Sequence, residues 1–486
     1  MALPQNIDGR AYIGGRTPSS DGSTTADVSP VDGRTLAQIA SCTRSDVDRA
    51  VASARESYDA GLWSRADAGV RKAVLLRLAE LIEVNSEELA HLETMDMGKP
   101  LAQSTAVDVA GTAEIFRWYA ELADKLLDEI PSTPGDSIAL VQREPLGVIA
   151  AVVPWNYPLE ITTWKLAPAL ITGNSVVLKP ATQSPLTALR LADLAAEAGL
   201  PDGVLSVVPG PGGVTGDALA RHMEVDMLTF TGSTAVAKRL QVAAGESNLK
   251  RLALEAGGKS ANLIFADTQD LKKAAQMAAF GAFYNNGQVC SANSRILVER
   301  TVHDEFVDLL VEAAVAFGPG DPLDPQHQGC GAVVDAGHAA DIMAAVQEAR
   351  EAGVLRSGGQ RLEIRGSDCY IEPTIVTDLP VEHRLHREEV FGPLVTVTPF
   401  DTEEEAVAMA NATDYGLAAS LWTSDVGRVH RVSRNLVAGT VSVNTVDALG
   451  PTTPFGGFRQ SGFGKDLSAH AIENYTELKT TWIQFG

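Results

Sequence analysis

One cysteine is set apart by its neighbours. In NNGQVCSANSR, residues 285–295, Cys290 stands between a Gly-containing polar turn and a run of small polar residues. A thiol so placed has four readings: nucleophile, metal ligand, half of a disulfide, or a small buried apolar residue. The four cysteines, Cys42, Cys290, Cys330 and Cys369, lie far apart, with no CxxC pair and no histidine at zinc-site spacing. A disulfide framework does not suit a chain of 486 residues that shows no secretory signal. Working thiol and buried filler both remain open from the local sequence.

Two further stretches could hold a phosphate. PGPGGVTG, residues 209–216, starts a GxGxxG pattern at Gly210 but has Thr215 where the last glycine belongs. A surface turn competes with a dinucleotide loop there. FTGST, residues 230–234, puts Gly232 and Ser233 between a strand end and a helix start. Free backbone N–H groups at such a start suit a phosphate, or simply an ordinary N-cap. Lys179, at the end of VVLK, could reach ribose hydroxyls at the sheet edge or be a solvated lysine.

The elements that must position these residues follow from periodicity. Residues 45–60 and 66–92 carry apolar positions at helical spacing and predict a helical amino-terminal layer. From about residue 146 the chain alternates short β-branched runs (GVIAAVVP, NSVVLKP, GVLSVVPG, DMLTFTGS, KRLALEAGG) with amphipathic helical ones. Ser184 is expected as the N-cap of one helix, with Pro185 its first residue and Gly199 just beyond its end. A second series, from ANLIF to GTVSVN, contains Cys290. Both series predict α/β units with parallel sheets, whose ligands sit beyond the strand carboxyl ends. The acidic run TEEE, residues 402–405, reads as a solvated first helical turn.

Composition sets limits on partners. With 39 Lys and Arg against 62 Asp and Glu, the formal charge is −23, which disfavours nucleic acid and anionic membranes. MALPQNIDGRAYIGGR lacks the basic and apolar regions of a signal peptide. The longest apolar passage, GVIAAVVPWNYPLEITTWKLAPAL, is interrupted by Glu160, Lys165 and three prolines, unlike a spanning helix. A cytoplasmic location is expected.

The order PWNYP (154–158), VVLKP (176–180), FTGS (230–233), LEAGGKS (254–260), GQVC (287–290), EEVFGP (388–393) and PFGG (454–457) resembles the aldehyde dehydrogenase superfamily along nearly the whole chain. CSANSR, YIEPT, YGLAASLW, AGTVSVNTVDAL, TTPFGGFRQSGFGKDLS and YTELKTTW look most like bacterial enzymes that oxidise ω-amino or ω-guanidino aldehydes. The resemblance implies a Rossmann-type NAD(P)-binding domain over 1–124 and 146–256, and an α/β catalytic domain over 257–458. It also implies a small β oligomerisation element over 125–145 and 459–486, whose two segments pair across a subunit interface in a homodimer or homotetramer.

Carried over to matching positions, the resemblance makes Cys290 the nucleophile, Asn156 and the Cys290 backbone N–H the oxyanion donors, and Glu255 the general base. Lys165 matches a lysine of a proton relay; a helix-surface salt bridge is its alternative. For NAD+ or NADP+ it implies Lys179 at the adenosine ribose, Ser233 with Gly232 and Gly210 near the phosphates, Glu389 at the nicotinamide ribose, and Trp155 and Phe391 as channel walls. Tyr157, Trp164, Phe455 and Leu449 match substrate-pocket positions, with Val289 and Ser291 flanking the thiol. Glu160, one helical turn from Asn156, is expected at a wet entrance, where it would attract a cationic tail. Broad aliphatic and aromatic specificity, a catalytically silent homologue, and a cofactor-free cysteine hydrolase are the alternatives. The hydrolase would need a histidine, and none lies in these motifs.

Two positions depart from the family pattern. Ala237 stands where a glycine usually follows FTGS, narrowing the helix start. Thr182 stands where many NAD-preferring relatives carry a glutamate that accepts both ribose hydroxyls. A hydroxyl beside Lys179 tolerates a 2′-phosphate that a carboxylate would repel. The expectation is that NADP+ is accepted alongside NAD+; initial rates with each cofactor test it, and NADP+ turnover absent beside robust NAD+ turnover would refute it.

Overall fold

The computed structural model describes residues 7–380 and 382–485, so the first six residues of the amino-terminal stretch read above lie outside it. The amino-terminal helices form for local reasons. Helix Arg44–Ala60 opens on Thr43, whose hydroxyl accepts from the Asp46 N–H while the Asp46 side chain takes the Thr43 N–H, and closes at Gly61 in the left-handed conformation. The helical run over 66–92 resolves into two helices, Ala68–Val84 and Ser86–Met97. The Asn85 side chain divides them by donating to the Leu81 carbonyl at 2.7 Å, in competition with the helical ladder.

The first large sheet has parallel strands in the spatial order Leu205–Val207, Ser175–Lys179, Val148–Val152, Met227–Gly232, Arg251–Ala256. Counted along the chain, the third, second, first, fourth and fifth strands are neighbours in that order. The winding therefore reverses between Val148–Val152 and Met227–Gly232. A crevice opens beyond strand ends at such a reversal, and here the ends lead into Pro154–Asn156 and Gly232–Ser233. Apolar clusters cover both faces of the sheet. Helix Pro158–Ile171, which follows the first strand, is buried along its whole length.

The helix expected to begin at Pro185 with Ser184 as its cap starts one residue later, at Leu186, with Pro185 in the cap position. Ser184 instead donates its hydroxyl to the Trp155 carbonyl at 3.3 Å, which ties two loops at the strand ends together. Thr402 caps the acidic helix Glu403–Asn411, and Glu403 there pairs with Arg428 and Arg431.

The second sheet has parallel strands in the order Thr374–Thr377, Leu394–Phe400, Arg295–Glu299, Ala261–Ile264, Ala418–Trp422, Thr440–Val443. The antiparallel strand Leu355–Ser357 lies at one edge. Only Gly257–Ser260 separate Arg251–Ala256 from Ala261–Ile264. The carboxyl edge of one sheet therefore meets the amino edge of the other, and Cys290 lies just upstream of Arg295–Glu299 on that edge.

The expected pairing of 125–145 with the carboxyl-terminal strand across subunits is corrected. Ser137–Pro145 pairs antiparallel with Thr476–Gln484 of the same chain. The Leu146 N–H donates to the Tyr475 carbonyl at 3.3 Å, so both strands leave the body side by side. Gly462–Phe463 adds to the first sheet, opposite Glu255 and Leu254.

Gly462 sits at φ 106°, where a Cβ would lie 1.9 Å from the Leu254 carbonyl oxygen. Gly462→Ala is expected to lower the urea midpoint, at a cost of about 1–3 kcal/mol or more. Gly245→Ala, with nothing within 4 Å of the added methyl, should leave the midpoint equal or raise it. Equal midpoints for the Gly462 variant and the parent would contradict this reading of the strand that carries Glu255.

Candidate active site

Cys290 follows the turn Tyr284–Gly287, in which Asn285 (φ 47°) and Asn286 (φ 58°) are left-handed. Asparagine tolerates that conformation better than most residues, and side-chain amides hold it here. The Asn285 Nδ2 donates to the carbonyls of Asn156 (3.0 Å) and Gln288 (3.3 Å), and the Asn156 Nδ2 donates to the Gln288 carbonyl (2.9 Å). The Asn286 Nδ2 donates to the Ala332 carbonyl (2.7 Å), and the Gln288 Oε1 accepts from the Val334 N–H (3.0 Å). A primary amide nitrogen carries two hydrogens; the second on Asn156 has no partner among these bonds. The loop after the first strand and the loop of the cysteine are thus fastened to each other.

Cys290 is half-buried and borders two cavities. One, of about 200 Å³, lies at the winding reversal and is lined by Trp155, Asn156, Gly232, Ser233, Glu389 and Phe391 among others. The Phe391 ring stands edge-on to Trp155, with centroids 5.2 Å apart. His338, which the sequence did not single out, packs on Trp155 and bonds the Phe391 carbonyl through Nε2 at 2.8 Å. Glu389 Oε1 accepts the Gly258 N–H at 3.1 Å. Burial pushes the Glu389 carboxyl up to about 7, against the Gly258 amide and Lys259. A Cβ on Gly257 would lie 2.1 Å from Glu389 Oε2, so only glycine admits that carboxylate here.

Lys179, Thr182 and Gly210 do not line this cavity. Lys179 is buried, donates to the Pro180 carbonyl at 2.6 Å, and is lowered to about 8 by desolvation. Thr182 is exposed, and its hydroxyl donates to the Gly210 carbonyl at 3.3 Å. Ala237 is buried in the first turn of helix Thr234–Gly245.

The other cavity, of about 260 Å³, brings together all seven substrate candidates: Tyr157, Glu160, Trp164, Val289, Ser291, Leu449 and Phe455. The Trp164 and Phe455 rings meet edge to face, with centroids 5.3 Å apart, and Leu449 is 41% exposed. Glu160 requires a correction. It is 8% exposed, on the buried helix, and not at a wet entrance. Burial, reinforced by Asp108, pushes its carboxyl up to about 8, against Lys99 and the Trp164 indole.

Several contributors escaped the sequence reading. Asp447 lines the cavity and accepts the Ser291 hydroxyl at 2.6 Å. Phe280 and Tyr284 add rings to the wall. Lys99 places its Nζ 3.9 Å from the centre of the Tyr157 ring and pairs with Asp108 at 2.6 Å. Asp108 belongs to a π-helical stretch, Ser104–Val109, an irregularity that often marks a functional segment.

Glu255 is 4% exposed, and neither of its oxygens closes a hydrogen bond. Burial raises its proton affinity well above the ordinary carboxylate range; Asp466 adds to this, and Lys165, Lys465 and the Gly457 amide oppose it. Lys165 is not on a helix surface, which corrects that alternative. It is fully buried and ion-paired with Asp466. The Cys290 thiol is likewise pushed far up by burial, then by Asp447, Glu389 and Glu255. Geometrically this is a thiol between two cavities, with a primary amide on one side and a buried acid on the strand Arg251–Ala256 of the first sheet.

The sequence pattern of the aldehyde dehydrogenase family matches residues 17–481. The chain is 49% identical over 483 residues to the NADP/NAD-dependent aldehyde dehydrogenase PuuC of Escherichia coli (strain K12), covering 99% of this chain and 97% of that one. A crystal structure of an indole-3-acetaldehyde dehydrogenase complexed with NAD+ superimposes with a TM-score of 0.97 at 51% identity, covering 99% of this chain and 97% of the other. A γ-glutamyl-γ-aminobutyraldehyde dehydrogenase from Burkholderia cenocepacia J2315 gives 0.96 at 49% identity, with the same coverage.

Proposed function

Because the chain belongs to the aldehyde dehydrogenase family, we propose that it oxidises an aldehyde to a carboxylic acid with NAD+ or NADP+, using Cys290 as nucleophile. The observation that carries this reading is the position of Cys290 on both cavities, where one thiol can meet a substrate from one side and a cofactor from the other. The residues around the smaller cavity fit a dinucleotide. The Thr231 hydroxyl there is buried without a partner, Ser233 opens the helix Thr234–Gly245, and Glu389 presents acceptor oxygens beside a glycine. Lys179, Thr182 and Gly210 extend this set along the sheet edge toward the adenosine end. When bound, the nicotinamide supplies the acceptor for the hydride that leaves the aldehyde carbon.

The protein's own part is as follows. The Cys290 thiolate adds to the carbonyl carbon, forming a C–S bond and an oxyanion. The free N–H of Asn156 and the Cys290 backbone N–H donate to that oxyanion where its charge develops. Once the carbon is oxidised to a thioester, Glu255 takes a proton from water as the water adds, and the thiolate leaves with the acid free. The Lys165–Asp466 pair is the route by which Glu255 loses that proton.

The larger cavity supports an ω-amino or guanidino aldehyde as substrate. Glu160 and Asp447 are the carboxyl groups on its wall, and among the described residues no Lys, Arg or His lines it. The rings of Trp164, Phe455, Phe280 and Tyr284 equally favour a second reading, a neutral aromatic aldehyde. The domain boundaries proposed are those expected from the sequence, with Gly462–Phe463 serving the first sheet. No helix among the described residues is long and apolar enough to cross a membrane, and we place the protein in the cytoplasm. Exposed Leu478, Trp482, Ile483 and Phe485 on the outer ribbon support a homodimer or homotetramer, because a bare apolar strand invites pairing.

Reduced-cofactor absorbance across an aldehyde panel tests the whole reading. The wild type should turn over, with kcat/KM for 4-aminobutyraldehyde above that for butyraldehyde. Glu255→Gln should keep one burst of reduced cofactor per site but lose about 10²–10⁴-fold in steady turnover. Because the buried Glu255 holds its proton to high pH, wild-type turnover should climb as pH rises. No turnover with any aldehyde would overturn the reaction, and indole-3-acetaldehyde outrunning the amino aldehyde would replace the substrate reading.

A further inference from the structure

The charges around Cys290 are all of one sign. From the loop after Thr440–Val443 comes Asp447; from Arg251–Ala256, Glu255; from the loop before Leu394–Phe400, Glu389; from Pro158–Ile171, Glu160; and Tyr157 and Tyr284 add phenols. Among the described residues, no Lys, Arg or His side chain lines either cavity. Cations stand behind the walls: Lys99 pairs with Asp108 behind the Tyr157 ring, Lys165 pairs with Asp466, and the buried Lys259 lies toward Glu389. None of them lines the cavities as a counter-ion to a Cys290 thiolate.

Glu160 and Asp447 differ in how they meet an incoming charge. Glu160 is buried beside Asp108, and burial first and Asp108 second push its carboxyl up to about 8. Burial pushes the Asp447 carboxyl up, and the Ser291 hydroxyl, which it accepts at 2.6 Å, opposes that shift and favours the ionised carboxylate. That bond ties it to the residue next to the nucleophile. Asp447 is held at φ 46°, a left-handed conformation that aspartate tolerates better than most residues. Among the charges that hold the Cys290 proton in place it comes first.

We propose that Asp447 is the positioning residue through which the positive charge of a substrate's tail converts Cys290 from thiol to thiolate. With the cavity empty, burial and then the Asp447 carboxylate keep the sulfur protonated and unreactive. A cationic tail that settles against Asp447 cancels that charge. The S–H bond then breaks more readily, its electron pair staying on sulfur and its proton passing to solvent. Glu160 ionises as the tail arrives and holds the amine, without acting on the sulfur directly. The nucleophile is thus armed by the substrate it is meant to attack. This rests on the amino-aldehyde reading above and goes beyond it.

The test needs no turnover. Alkylation of Cys290 by iodoacetamide, a neutral reagent, forms a C–S bond and releases iodide only from the thiolate; peptide mapping separates Cys290 from the other three free thiols. The pH midpoint of that rate is measured for the holoenzyme with saturating butylammonium, with 1-butanol, and with neither. We expect butylammonium to lower the midpoint by about one pH unit, and 1-butanol to leave it in place. Asp447→Asn should start about one pH unit lower and show no further response to butylammonium, whereas Glu160→Gln should still respond. An equal shift with the alcohol overturns the proposal, as does an unchanged Asp447→Asn midpoint. If 4-aminobutyraldehyde is preferred to butyraldehyde yet butylammonium moves nothing, the coupling is wrong and the substrate reading stands. If there is no such preference, both fall.

Discussion

The reciprocal amide bonds between Asn156 and the turn that precedes Cys290 are the constraint on which the rest depends. Two consecutive left-handed asparagines cost on the order of 1–3 kcal/mol each, and hydrogen bonds worth about 1 kcal/mol apiece offset that only when they are all made. The Asn285 and Asn156 amides make them across the junction of the two sheets, so the turn holds its shape only when both sheets are in place. The same bonds leave one N–H of Asn156 uncommitted beside the thiol. Gly257–Ser260, the short crossing from one sheet to the other, keeps Glu255 within the same junction.

Desolvation is the second organising force. Glu255, Glu389, Glu160, Asp447 and Cys290 are all shifted toward their protonated forms, with burial the first cause in each. The fold places Lys99 and Lys165 behind the cavity walls, paired with Asp108 and Asp466. Removing one partner of a buried pair costs about 3–5 kcal/mol, so Lys99 and Lys165 are structural supports as well as sources of potential. A positive charge entering the cavity is therefore worth more to these acids than it would be in water.

Much of the fold was legible locally. The alternation of β-branched runs with amphipathic helices marked the strands of both sheets, because a period of 2 or 3.6 is a property of near neighbours. Turn chemistry was legible to within a residue or two: Gly199 ends its helix in the left-handed conformation as expected, while Ser184 gave up the cap for a bond to Trp155. The family motifs picked out Cys290, Glu255, Asn156 and the cavity linings by their order along the chain.

What the tertiary structure alone decided concerns groups distant in sequence and the medium between them. Ser291 and Asp447 are 156 positions apart, and no periodicity links them. The Lys99 ammonium behind Tyr157, and the pairing of Ser137–Pro145 with Thr476–Gln484 within one chain, are equally invisible to local pattern. Glu160 illustrates the limit best. Its place in the helix could be read from the sequence, but whether it met water or a closed cavity depended on what packed around it. By itself the sequence determined which residues could carry the chemistry. Their charge states were decided by packing, because desolvation and long-range pairing exist only once the chain has folded.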